Sequence, residues 1–347
     1  MAKLTDLCDI QYGYAFDSAL FTDDCSYPQL VRIRDVKRGY SETFYNGDYP
    51  EEYVLSAGDL LIGMDGEFNI ARWKVDGALL NQRVCKITAK DNADEEFLRF
   101  ALSKALKAIE ERTSFATVKH LSAKELNKLE IAVPSYGEQK NKSEILRRLE
   151  RIIKLRQNEL NSLDNLIKAR FVEMFFDKGY PVLPWNDVFN TTTGKLDSNA
   201  MVENGEYPFF TCAKEVFRID RYAFDQEALL LAGNNAAGKY DVKYYKGKFN
   251  AYQRTYVLGL KQNWSYRLFQ YQLEDKLEYL QQLSLGGLTK YLTMKILREL
   301  SFIIPPMDKQ IEFEQFVKQV DKSKVVVKKA LDEAQILFDS LMQEYFG

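Results

Sequence analysis

Two heptad seams in one register, repeated at an offset of 171 in the numbering, set the terms for any fold of this 347-residue chain. Residues 135–177 contain no Pro and no Gly after Gly137, and they are dense in good helix formers. That composition predicts one long helix from about residue 138 to 175. Its apolar residues follow 3-4 spacing: Leu146, Leu149, Ile153, Leu160, Leu163, Ile167 and Met174, with Arg156 and Arg170 as polar exceptions. Such a stripe requires a partner helix. Adding 171 to each position gives Val317, Val320, Lys324, Val327, Leu331, Ala334, Phe338, Leu341 and Tyr345, where only Lys324 is charged. Each helix leaves one stripe bare, and the other copy is the cover at hand.

The duplication extends beyond the helices. Residues 129–139 (LEIAVPSYGEQ) match 300–310 (LSFIIPPMDKQ), so Pro134 answers Pro305 and Gln139 answers Gln310. Gln82 and Arg83 answer Gln253 and Arg254, and residues 114–126 answer 285–297, with Lys119 on Lys290 and His120 on Tyr291. Residues 4–13 (LTDLCDIQYG) match 185–194 (WNDVFNTTTG) at an offset of 181, so the second copy is about ten residues shorter in its first half. A repeat of this kind decides the architecture before any motif does. The expected fold is α+β: two similar mixed α/β domains, 1–136 and 179–306, separated by two long helices, 137–178 and 307–347, that pair as an antiparallel coiled coil.

Within the first domain, residues 28–36 alternate like a half-buried strand, and residues 60–62 read as a buried strand running into a Gly-rich turn. Residues 78–87 read as a further strand, and 95–111 have helical spacing. Ser122 with Glu125 forms a capping box, with Leu121 stapling to Leu126. Thr293, with Leu292 and Leu297, can repeat the cap and the staple in the second copy. The strand LEIAVP closes the domain, and the second copy is expected to share the fold.

Composition narrows the function. Lys plus Arg is 48 against 50 for Asp plus Glu, which excludes a uniformly basic packing protein but permits local basic loops. Cys8, Cys25, Cys85 and Cys212 are scattered without a CxxC, so they read as reduced, buried thiols. No apolar leader and no membrane-length apolar run is present in the sequence, so a cytoplasmic protein with no membrane partner is expected. One histidine, His120, is too few for a His-rich zinc site, and its alignment with Tyr291 argues against a base required in both copies. The segment IPPM at 304–307 lacks the polar first residue of an adenine-methyltransferase motif and sits at the repeated Pro corner. Neither a GxGxxG after a strand nor a P-loop is present. Asp65 with Glu67, and Asp241 with Lys243, lack a metal-ligand pattern.

What remains is recognition chemistry. The first domain offers Arg32, Arg34, Lys37 and Arg38 with Tyr40, then Phe68, Asn69, Arg72 and Trp73, then Gln82, Arg83, Lys119 and His120. The second offers Lys195, then Asn234, Asn235 and Lys239, then Tyr244, Tyr245, Lys246 and Lys248, then Gln253, Arg254 and Lys290. Arg, Asn and Gln read purine edges bidentately, and Lys suits phosphates. The candidate DNA-binding residues are therefore Arg32, Arg34, Lys37, Asn69, Arg72, Gln82, Arg83, Lys119, Lys195, Asn234, Asn235, Lys239, Gln253, Arg254 and Lys290. Arg83 and Arg254 have a second reading, as strand residues holding the shared frame. The candidate helix-pairing residues are Leu149, Ile153, Leu160, Leu163, Ile167, Val320, Val327, Leu331, Phe338 and Leu341.

The opening LTDLCDIQYGYAF, the run GMDGEFNIARWKVDGALLNQRVCKI, the twin Pro corners and the two helices together resemble the specificity subunit of Type I restriction-modification systems. The resemblance covers essentially the whole chain. It implies two target recognition domains, each binding one half of a split site on double-stranded DNA, spaced by the paired helices. It implies no catalysis and no cofactor on this chain. Two adenine methyltransferase subunits are the implied partners, joined in the restriction enzyme by two translocase-nuclease subunits, and S-adenosylmethionine, ATP and Mg belong to them. A helix of about 36 residues is about 54 Å long, compatible with half-sites near one DNA turn apart. The alternative, from another class, is a structural tether carrying two protein-binding domains on a coiled coil.

Overall fold

The computed structural model describes residues 1–112, 119–235, 238–287 and 289–347. The start of the repeated stretch 114–126, Ala236 and Ala237 of the 232–239 turn, and Leu288 lie outside the described residues. The chain divides into two compact units: Met1–Asn158 with Lys328–Gly347, and Glu159–Val327.

The first unit is built on a four-stranded antiparallel sheet in the order Cys8–Tyr12, Val84–Ala89, Leu60–Gly63, Ile70–Arg72. The second repeats that order with Phe189–Thr193, Thr255–Leu260, Phe224–Ala232 and Val242–Ala251. It then adds Tyr207–Phe210, parallel to the last of these, and Phe217–Ile219. Alternation explains the apolar runs at the sheet centres. Leu60 and Ile62 enter one core with Phe97, Leu98 and Leu102, while Leu61 enters another with Trp73 and Val84 on the opposite face. Leu229 and Leu231 face Phe269 and Phe302, while Ala228 and Leu230 face Phe210 and Phe249. A strand buried on both faces has no polar side to show.

Both capping motifs form. Ser122 Oγ accepts from the Glu125 N–H at 3.2 Å while Glu125 accepts from the Ser122 N–H at 3.1 Å, and Thr293 Oγ1 accepts from the Ile296 N–H at 3.4 Å. Each closing strand pairs with the start of its own domain: Glu130–Ile131 with Ala2–Lys3, and Ser301–Ile303 with Val182–Pro184.

Two strand expectations fail. Residues 28–36 form isolated bridges at Gln29 and Leu30 and then the short helix Ile33–Val36. The cause is Asp35, fully buried, which accepts from the Arg32 N–H at 3.1 Å and the Ser41 hydroxyl at 2.9 Å and pairs with Arg38. A buried carboxylate gathers donors from its neighbours and bends the backbone to do so. Residues 78–87 split into Ala78–Leu79 and Val84–Ala89 around a turn at Gln82 and Arg83, where Arg83 has φ of 69°. The thiols are more varied than expected. Cys8 and Cys85 are buried, and burial pushes both up to about 12, but Cys25 is exposed and Cys212 half-buried.

The two long helices, Tyr136–Phe175 and Met307–Phe346, have 40 residues each. Leu149, Ile167, Val320, Val327 and Leu331 are buried on the seam, and Ile153, Leu160, Leu163, Phe338 and Leu341 are half-buried. Off the seam, Val325, Val326 and Ile336 are each 69% exposed, so the heptad phase, not hydrophobicity alone, selects what is covered. Within the second unit Phe171 and Phe175 meet Phe313, Ile167 packs with Val317 and Val320, and Asp164 pairs with Lys324. Numbers rise on one helix as they fall on the other, so the pairing is antiparallel. Within the first unit the Lys142 ammonium lies 4.8 Å from the Tyr345 ring centre, in the same sense. The polar exception Arg170 is absorbed by Glu312 at 2.6 Å and Glu173 at 2.9 Å.

The repeated glutamines have one job in both units. Gln139 Oε1 accepts from the Asp94 N–H at 2.9 Å, and its Nε2 donates to the Pro134 carbonyl at 3.1 Å. Gln310 Oε1 accepts from the Ser265 N–H at 2.9 Å, and its Nε2 donates to the Pro305 carbonyl at 2.8 Å. Asp94 and Ser265 are themselves related by the repeat offset, and each caps a domain helix by accepting from Phe97 at 2.8 Å and Leu268 at 3.4 Å. Both glutamines are 1% exposed. Replacing either by Leu strands a buried donor and a buried acceptor. Gln139→Leu and Gln310→Leu are each expected to cost about 2–4 kcal/mol, read as a fall in the urea midpoint, with similar losses in the two variants. A loss below that of an ordinary surface substitution would show that the clamp does not hold.

Candidate functional site

In both units three segments are laced together by the same backbone bonds. The Gln82 N–H reaches the Tyr14 carbonyl at 2.8 Å, and the Gln253 N–H reaches the Leu196 carbonyl at 2.8 Å. The Arg83 carbonyl accepts from Met64 at 2.8 Å, and that of Arg254 accepts from Gly233 at 2.9 Å. Met64 in turn accepts from Leu121 at 2.7 Å, and Gly233 from Leu292 at 2.8 Å. Isolated bridging joins Asp65 to His120, and a two-residue ladder joins Asn234 and Asn235 to Tyr291 and Lys290. Gly13 and Gly194 make the lacing possible, because a Cβ at either would overlap the carbonyl oxygen of Asn81 or Ala251.

This frame brings Gln82, Arg83, Lys119 and His120 together in the first unit, beside the loop that carries Asp65 and Asn69. In the second it brings together Gln253, Arg254, Asn234, Asn235, Lys239 and Lys290. The Lys239 N–H donates to Asn235 Oδ1 at 3.3 Å. Lys195 is exposed immediately after Gly194. Arg32, Arg34, Gln82 and Arg83 line one cleft of about 360 Å³ with Ser18, Phe21, Ile33 and Asn81. The Arg34 side chain is 65% exposed, with Nε 3.8 Å from Asp35.

Other candidates are already engaged. Arg72 donates to Glu96 at 2.6 Å, Glu95 at 2.8 Å and the Gly58 carbonyl at 2.6 Å, which ties its strand to the 95–112 helix. Burial alone would raise the Glu96 carboxyl, but Arg99 and Arg72 beside it outweigh burial and hold it below its usual range. Lys119 Nζ donates to Glu110 at 3.0 Å, and Asn69 Nδ2 lies 3.4 Å from the Glu67 carbonyl. Lys37 lines a separate cleft with Arg72.

Asp65 and His120, which carry neither a metal-ligand pattern nor a catalytic motif in the sequence, have a part in the site. His120 Nδ1 donates to Asp65 Oδ1, and Arg83 Nη1 stands beside the ring, 3.2 Å from Nδ1 and 3.3 Å from Nε2. Because the carboxylate can only accept, Nδ1 carries the proton of that bond. Asp65 Oδ2 also lies 3.6 Å from Arg83 Nε. The Arg83 guanidinium, on a side chain 52% exposed, is thus aimed by two neighbours. The second unit has Asn234 and Tyr291 in those places, and the Arg254 guanidinium makes no hydrogen bond or ion pair among the described residues. The available signal was positional: His120 aligns with Tyr291, and Asp65 falls within two positions of the repeat partner of Asn234.

A family profile for the Type I restriction modification DNA specificity domain matches residues 1–165 and again 178–334. Over 139 residues the chain is 42% identical to the Type I restriction enzyme EcoBI specificity subunit of Escherichia coli, covering 40% of this chain and 29% of that protein. Over 145 residues it is 36% identical to the EcoDI specificity subunit of Escherichia coli, covering 40% and 31%. The matched stretches therefore span under a third of either relative. The crystal structure of a Type-I restriction-modification system S subunit from M. genitalium aligns over 100% of this chain and 95% of its own, with a TM-score of 0.64 at 16% identity, which shows a shared fold.

An arginine held at positive φ stores strain that a glycine would release. Arg83→Gly is expected to leave thermal stability unchanged or raised, whereas Gly194→Ala is expected to lower it by about 1–3 kcal/mol through forced overlap. Thermal unfolding of the two variants checks both. A destabilised Arg83→Gly would return that residue to the frame.

Proposed function

Because this chain belongs to the Type I restriction modification DNA specificity family, we propose that it is a non-catalytic specificity subunit whose two units each bind one half of a split target on double-stranded DNA. The observation that carries the reading is the pair of laced turns. One backbone frame is built twice and filled differently, with Arg83, Asp65 and His120 in one unit and Arg254, Asn234 and Tyr291 in the other. A constant frame with changed contents suits two readers of two different short sequences. Arg83, Arg254, Gln82, Gln253 and Asn234 are the proposed base readers, and Lys195, Lys239 and Lys290 the proposed phosphate contacts.

The paired helices fix the unspecified gap between the half-sites. Two adenine methyltransferase subunits dock on the chain, flip one adenine in each half and supply S-adenosylmethionine. Two translocase-nuclease subunits that use ATP and Mg complete the restriction enzyme. The work is cytoplasmic.

Genome-wide adenine methylation, compared with and without the gene, tests the reading. One split motif methylated on both strands is expected to disappear. Loss of a continuous motif, or an unchanged methylome in a strain that expresses the chain, would overturn it in favour of a tether. On the motif so found, Arg254→Ala is expected to cost about 1–3 kcal/mol of binding and to relax one position in one half only, while Arg83→Ala relaxes the other half.

A further inference from the structure

The central helix carries three cations at i, i+4 and i+7: Arg147, Arg151 and Lys154. All three are exposed, and together with Lys37 they line one cleft of about 510 Å³ in the first unit. None of the four forms an ion pair among the described residues. The carboxylates within the cleft are committed elsewhere, since Arg99 takes Glu150 at 2.6 Å and Arg72 and Arg99 share Glu96. Like charges at this spacing oppose one another and weaken a helix. Other cations on the long helices have carboxylate partners: Lys318 pairs with Glu314 at 2.7 Å, Lys328 with Asp332 at 2.6 Å, and Arg148 with Glu144. Adding 171 gives Lys318, Lys322 and Val325, so the second copy keeps two of the cations and loses the third.

We propose that Arg147, Arg151 and Lys154, with Lys37, form a phosphate rail that holds the duplex backbone beside the first half-site without reading sequence. The proposal rests on the DNA-binding reading above. Continuity with the candidate reading cleft favours nucleic acid over an acidic protein surface. The short helix Ile33–Val36 has Arg32 as its N-cap and Lys37 as its C-cap. Arg32 and Arg34 line the cleft with Arg83, and Lys37 lines the cleft with the helix cations. The two clefts therefore lie at opposite ends of one short helix.

The test is the salt dependence of binding to a mixed-sequence DNA duplex, measured by fluorescence anisotropy for the full chain and for Arg147→Gln/Arg151→Gln/Lys154→Gln. Each phosphate neutralised contributes about 0.9 to the log-log slope, so the triple variant is expected to lose about 2–3 from it, with unchanged or raised thermal stability. Arg254→Ala, tested alongside on the methylome-derived motif, reports on the reading itself. If Arg254→Ala weakens specific binding while the triple variant keeps the wild-type slope, the rail is wrong and the reading stands. If the triple variant keeps the slope but loses co-purifying methyltransferase subunit, the surface is a protein dock and the rail is again wrong. If the wild-type chain does not bind duplex at all, both fall together.

Discussion

A buried primary amide at the mouth of each long helix is the interaction on which the rest of the structure depends. Gln139 and Gln310 satisfy both ends of their amides with backbone groups, one from the Pro corner and one from the cap of a domain helix. Such a group is tolerated in the interior only when every bond is made, so its geometry is nearly all-or-none. Gln139 lies one heptad before Leu146, and Gln310 one heptad before Val317. The clamp therefore shares the face of the seam. By fixing the helix against its domain, it also fixes which stripe is left to pair. Salt bridges reinforce the joint farther along, through Arg99 with Glu150 and Arg267 with Asp321.

Much of this was legible in the sequence because it is periodic or repeated. The seams, the Pro corners, the glutamines and the N-caps all recur at fixed offsets, and local spacing determines helices and caps. What stayed hidden depends on contacts that spacing does not encode. The helix at 33–36 follows from the burial of Asp35, which only the folded neighbourhood decides. The break at Gln82 and Arg83 contradicts the backbone preference of arginine. The commitment of Arg72 to Glu95 and Glu96 joins a strand to a helix well downstream in the chain. The two added strands of the second unit occupy a stretch where the copies do not align, so the repeat gave no guide to them.

The site divides labour between backbone and side chains. Main-chain bonds from the glycine after the first strand, the Gln-Arg turn and the loop after the third strand make a rigid seat, and none of them depends on side-chain identity beyond the glycines. Side chains on that seat are then free to differ. The first unit uses a carboxylate and an imidazole to orient an arginine, while in the second the Arg254 guanidinium makes no hydrogen bond or ion pair among the described residues. A preorganised side chain loses less entropy on binding than a mobile one, so the two halves are expected to differ in how sharply each discriminates.

The first unit is discontinuous along the chain, and that orders the events of its synthesis. Phe346 packs on Phe97 with ring centres 5.2 Å apart, Phe338 lies 6.1 Å from Phe100, and Lys104 donates to Gln343 at 2.7 Å. None of these contacts exists until residues 328–347 have left the ribosome. Residues 1–158 therefore wait, partly uncovered, while the whole of the second unit is made. Of the two units, the one begun earlier is completed later, because its closing segment follows the whole of the other, and its assembly includes the cost of closing a loop across that unit.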